Sequence, residues 1–133
     1  MTRYDPEIAP NPTVWLALDE QVRIDTVRAY HRKARNKPAN LQAHAVFHVV
    51  IENQIAEGLE PVVRALARLI SDGLSRHDAL HAICCVLSDH LVELSKADPQ
   101  DTPEAANSRY SAAVERITAK LWWQEYGDDD ESR

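Results

Sequence analysis

Two glycines, Gly58 and Gly73, cut the middle of this chain into stretches with a helical rhythm, and that division limits what the chain can build. Glycine is the residue that most often stands just past a helix end. Apolar residues recur at three- and four-residue spacing on both sides of these stops: Leu41, Phe47, Ile51 and Ile55, then Val62, Leu66, Leu69 and Ile70, then Leu80, Ile83, Val86, Leu87 and Leu91. No segment of alternating apolar and polar residues competes with them. Only three glycines occur in the whole chain, aromatic residues are scarce, and Leu, Ala, Val and Ile dominate, which is a helical composition. At 133 residues, 44% of them apolar, the chain has the size of one domain with one core.

Local signals give the boundaries. Residues 1–13 hold three of the seven prolines and read as an extended arm pinned by Trp15 and Leu16. Asp19 starts a first helix over 20–35, with Ile24, Val27 and His31 on one side, and Lys37-Pro38 ends it because the residue before proline avoids helical geometry. Asn40 caps a second helix over 41–57. Glu60-Pro61 opens a third, with proline in the first turn, and Glu60, Arg64, Arg68 and Asp72 form its solvated stripe. Ser75-Arg76-His77-Asp78 reads as a capping box opening a fourth helix over 76–95. Thr102-Pro103-Glu104 starts a last helix over 103–125, with Ala106, Tyr110, Ala113, Val114, Ile117 and Leu121 inward. The acidic tail, 127–133, reads as disordered. The expectation is all-α: a single-domain bundle of about five helices.

Four of the six histidines fall into two pairs of identical spacing, His44-x-x-x-His48 and His77-x-x-x-His81. Residues four apart on a helix lie on one face, so each pair is a two-nitrogen claw. Short links force successive helices to reverse, so helices two and four are expected to run the same way with their histidine-bearing first turns level. At ~8–10 Å between packed axes, facing imidazoles can share a metal. Glu52, one turn beyond His48, is the expected fifth participant, as a ligand or as the group that holds a histidine in the right tautomer. Asp78 and Asn53 are further candidates for that supporting role. Cys85, one turn beyond His81, is a minor candidate ligand, and His31 becomes one if helix one packs across the opening. His90 lies half a turn around from His81 and stays outside the set.

Other features narrow the class. A net charge of −6 and a pI near 5.4 argue against nucleic-acid or membrane-surface binding. The basic run Arg28, His31, Arg32, Lys33, Arg35 and Lys37 reads as the basic end of a helix, which the helix dipole favours. Adjacent Cys84 and Cys85 cannot form an ordinary disulfide, and no apolar signal core or membrane-length run is present, so a reducing cytoplasm is expected. Trp122 and Trp123 divide between core and a contact surface, which would suit a homodimer. No Gly-rich phosphate loop, HExxH or CxxC motif occurs.

The stretches HAVFHVVIENQIAEG and GLSRHDALHAI resemble small bacterial proteins of a domain-of-unknown-function family. Its members carry an HxxxH followed by a Glu/Gln-rich end and then a downstream RHxxxH. The resemblance spans about residues 40–95, on His44, His48, Gln54, His77 and His81. It implies that the four histidines act as a unit; it implies no activity.

The reading from sequence is a metal-binding bundle with His44, His48, His77, His81 and Glu52 around a divalent ion. Zinc suits a closed set of nitrogen ligands best, with iron, nickel or manganese as the other candidates. Hydrolytic or redox chemistry would depend on a vacant coordination position, so enzymatic activity stays open. Two alternatives use other features: a non-enzymatic adaptor with structural histidines, and a helical protein that responds to pH.

Overall fold

A computed structural model describes residues 3–33 and 40–127. Among them the regular structure is helical throughout, in seven helices: α1 (Pro12–Ala17), α2 (Glu20–Lys33), α3 (Leu41–Ala56), α4 (Glu60–Ser71), α5 (Arg76–Ser95), α6 (Pro103–Arg116) and α7 (Ala119–Tyr126). The end expected for the first helix at Lys37-Pro38 and most of the acidic tail lie outside the described residues.

The three central helices start and stop where their local chemistry dictates. Asn40 and Ser75 accept from the backbone N–H groups of Ala43 and Asp78, which closes the open N-termini of α3 and α5. Gly58 (φ 76°) and Gly73 (φ 109°) take up the left-handed conformation that ends α3 and α4. Each is followed by a residue whose N–H returns to the helix, Leu59 to Gln54 O and Leu74 to Leu69 O. This paired return satisfies carbonyls that a helix end would otherwise leave bare.

The bundle has seven helices rather than five, and each addition has a visible cause. Pro12 and the Asn11 cap, which accepts from Val14 N–H, nucleate α1 inside and beyond the expected arm. Leu18 then turns extended (ψ 146°), and the Arg23 guanidinium takes the exposed carbonyls of Leu16 and Leu18 at 2.9–3.1 Å. The last helix breaks at Ile117, also extended (ψ 132°), because Thr118 caps a new helix by accepting from Leu121 N–H. Arg68 donates to Val114 O and Ile117 O, both at 2.9 Å, and Asp72 accepts from Ala119 N–H. Two members of the expected solvated stripe of α4 thus secure the α6–α7 corner, while Arg64 binds Glu115 at 2.8 Å.

Two apolar clusters form the core. The larger gathers Ile51, Val62, Leu69, Leu80, Ile83, Val114, Ile117 and Trp122; the smaller gathers Tyr4, Trp15, Val27, Ala45 and Val49. Helix α3 contributes to both, so its histidine-bearing face lies between them. Two expected core residues are exposed, Ile70 and Leu91; the whole last turn of α5, 91–95, is exposed. No helix of the described residues is long and apolar enough to cross a membrane.

Candidate metal centre

Five histidines converge in the interior. His31 comes from the last turn of α2, His44 and His48 from successive turns of α3, and His77 and His81 from the first turns of α5. One ring nitrogen from each lies within 4.8 Å of one from every other. The rings crowd together: His31 stands 4.2 Å from His44 and 4.6 Å from His48, centroid to centroid. His44 stands 4.9 Å from His81, with their Nε2 atoms 3.3 Å apart. His48 lies against both His77 (5.4 Å) and His81 (5.0 Å). Four of the five are buried and His77 is half-buried.

All four histidines of the two pairs are therefore in one place, and α2 adds a fifth. The level-by-level match expected from short connections does not hold in detail. His44 meets His81, while Glu52, two turns further along α3, meets Arg76 at the very start of α5. The two segments touch in opposite order across the site. Short links constrain α3 with α4 and α4 with α5, but they leave the crossing of α3 over α5 free.

Glu52 is not among the clustered ligand atoms. Its carboxylate is fully buried and already occupied. It accepts from Arg76 at 2.8 Å on each oxygen and from the Tyr4 hydroxyl at 2.6 Å. The expectation of a carboxylate ligand thus gives way to a buried ion pair beside the histidines. A charge at this depth needs a partner, and a guanidinium held in fork geometry supplies one. Asn53 is likewise engaged elsewhere: its carbonyl oxygen accepts from Trp15 Nε1 and Arg23, both at 2.9 Å. Cys84 and Cys85 are half-buried against the larger core cluster, and Cys85 is outside the histidine group. His90 also lies outside it, against Tyr110 at 5.1 Å.

The electrostatics favour neutral imidazoles with lone pairs to give. Burial pushes the His31 imidazole down to about 4 and, with His31 and His77 as neighbours, that of His44 down to about 3. Burial, then the other histidines, hold His48 well below the ordinary 6.5. His31 Nδ1 lies 2.9 Å from the Val27 carbonyl, one turn back. A carbonyl only accepts, so Nδ1 carries the proton and Nε2 presents a lone pair. That Nε2, like the Nε2 of His48, is buried and meets no hydrogen-bonding partner in the protein. Leaving buried polar atoms unsatisfied costs ~1–3 kcal/mol each, so two in one cluster mark a place meant for another partner.

The donor set is nitrogen-only. Ligands on opposite sides of one ion, with bonds near ~2.1 Å, stand ~4.2 Å apart. The 4.8 Å spread is slightly wider, so small side-chain movements would bring these atoms around a single centre. A pair of ions normally needs a bridging carboxylate; none is in the cluster, and Glu52 is held by Arg76 and Tyr4.

Two residues beside the site are not picked out by helical spacing. Tyr4 sits in a proline-containing arm with no periodicity, and Arg76, which opens the RHxxxH stretch, reads as part of a helix cap. Both become important through partners more than twenty positions away. Comparison with protein-family models, with curated proteins and with solved structures found no match.

Proposed function

We propose that this protein binds a single divalent metal ion through His31, His44, His48, His77 and His81. The observation that carries the reading is the convergence of five ring nitrogens within 4.8 Å in the interior, in a cluster where the Nε2 atoms of His31 and His48 are buried without a hydrogen-bonding partner. A buried all-imidazole set suits zinc first. Nickel follows from its affinity for nitrogen ligands, while iron and manganese gain less from a set without a carboxylate. Glu52 acts from outside the ligand set. Where an ion in this site keeps one position for water, it would supply an acidified water for hydrolysis.

The test is elemental analysis of protein purified without a histidine tag. Near-stoichiometric zinc or nickel is expected, and H48A and H81A should lose it. Protein that is isolated metal-free and takes up no added zinc, nickel, iron or manganese overturns the reading.

A second reading rests on a different surface. Trp122 is buried, whereas Trp123 is 45% exposed, and Leu91, Val92 and Leu94 are exposed at the end of α5. Exposed tryptophan is enriched in contact surfaces, which favours self-association or an adaptor role. Sedimentation of wild type against W123A distinguishes it: a monomer in both cases removes self-association.

A further inference from the structure

We propose that Tyr4 is a positioning residue of this centre: its hydroxyl, anchored on Glu52, holds His48 with the proton on Nδ1 and the lone pair on Nε2. The inference rests on the metal-binding reading for its purpose, though not for its geometry.

The argument follows single protons. Both oxygens of Glu52 accept from Arg76, so toward Tyr4 the carboxylate acts as an acceptor. The phenol has one proton to donate. It has two neighbours, Glu52 Oε2 at 2.6 Å and His48 Nδ1 at 3.2 Å. The shorter contact, to the charged acceptor, takes that proton. A phenol is protonated at neutral pH, so Tyr4 has that proton to give. Only an oxygen lone pair then remains for His48, and a lone pair can only accept. His48 Nδ1 must therefore carry hydrogen, which leaves Nε2 bare, and that Nε2 is a buried atom with no hydrogen-bonding partner. His31 is fixed in the same tautomer by the Val27 carbonyl. Two histidines from different helices thus keep the same buried nitrogen bare by two different devices.

Metal-bound histidines commonly donate their other N–H to a carboxylate or a carbonyl, and this partner orients the ring and makes it a stronger ligand. Here the carboxylate is one hydroxyl further out. The intermediary also arrives from the beginning of the chain, which is secured twice more beside the same site. Arg76 donates to Pro6 O at 2.9 Å, and Glu7 accepts from the His77 backbone N–H at 3.3 Å. The N-terminal segment is thereby one wall of the centre.

The experiment compares wild type with Tyr4→Phe, which removes only the hydroxyl and keeps the ring that packs on Trp15 and Tyr30. Zinc affinity is read by competition with a chromophoric chelator, and the His48 tautomer by imidazole ¹⁵N NMR of metal-free protein. Tyr4→Phe should bind zinc about 10–100-fold more weakly, and His48 should change from Nδ1–H to a mixture of tautomers. Glu52→Gln, a weaker acceptor for the phenol, should shift both readouts in the same direction and serves where Tyr4→Phe does not fold. Unchanged zinc affinity in both variants, or an Nε2–H His48 in the wild type, overturns the proposal. Should the wild type bind no metal, the function above fails separately. Nδ1–H in the wild type and its loss in Tyr4→Phe would still uphold the positioning role, and its persistence there would refute it.

Discussion

At the scale of the residue, a buried imidazole cluster is a liability in acid. His31 and His44 are held at about 4 and about 3 against an unfolded value near 6.5, first by burial. Between those limits the unfolded chain binds protons that the folded chain refuses, so stability rises with pH there. Metal-free protein should be at full stability above about pH 6.5 and lose it progressively as pH falls toward 3. Melting followed by circular dichroism at pH 7.5, 5.5 and 4.5 checks this; a flat Tm would mean the rings are solvated or already paired with acid. The residue scale also separates what the sequence makes legible from what it hides. Four-residue spacing is local geometry, so the two claws can be read from His44, His48, His77 and His81 alone. Glu52 shares that spacing, but which group faces it is decided by α5, and Arg76 took it. Tyr4 has no spacing to read.

At the scale of the element, the helices with strong punctuation match their sequence signals, while the break inside the expected last helix has none. Asn40, Gly58, Gly73 and Ser75 fix α3, α4 and the start of α5 to within a residue or two of expectation. The break between α6 and α7 lacks glycine and proline altogether. Its apolar period, Tyr110, Val114, Ile117 and Leu121, runs straight through the corner. What breaks it is Thr118 used as a cap, together with Arg68 and Asp72 arriving from α4. A threonine inside an apolar run gives no warning of this, because its capping role depends on tertiary partners. Thr118→Ala should cost about 1 kcal/mol of unfolding free energy, the usual worth of such a cap. Chemical denaturation measures it. A neutral result would mean that Arg68 and Asp72 hold the corner unaided.

At the scale of the whole molecule, the centre joins parts that are distant in sequence. Helices α2, α3 and α5 each supply histidines to the cluster, and α3 also links the two apolar clusters. An ion bound there would favour the folded state over any state in which those helices separate. Free zinc at a hundred times Kd adds about 2.7 kcal/mol, enough to raise the Tm of a chain this size by about 10 °C. Calorimetry with and without zinc, followed by chelator, reads this shift; an unchanged Tm at saturating metal would mean that the ion does not prefer the folded chain, against a site assembled by folding. This level of organisation was the least visible in the sequence. Short connections predict neighbours, whereas the packing of α2 across the opening, which brings in His31, depends on the complete set of contacts.

The guanidinium of Arg76 grips the Pro6 carbonyl with the same nitrogen that reaches Glu52. Whatever tugs on the beginning of this chain therefore tugs on its interior. A purification handle fused just before Tyr4, or a protease cutting there, would act on the segment that packs beside the imidazoles. The choice of which terminus to tag thus becomes a choice about whether the centre is left as it was built.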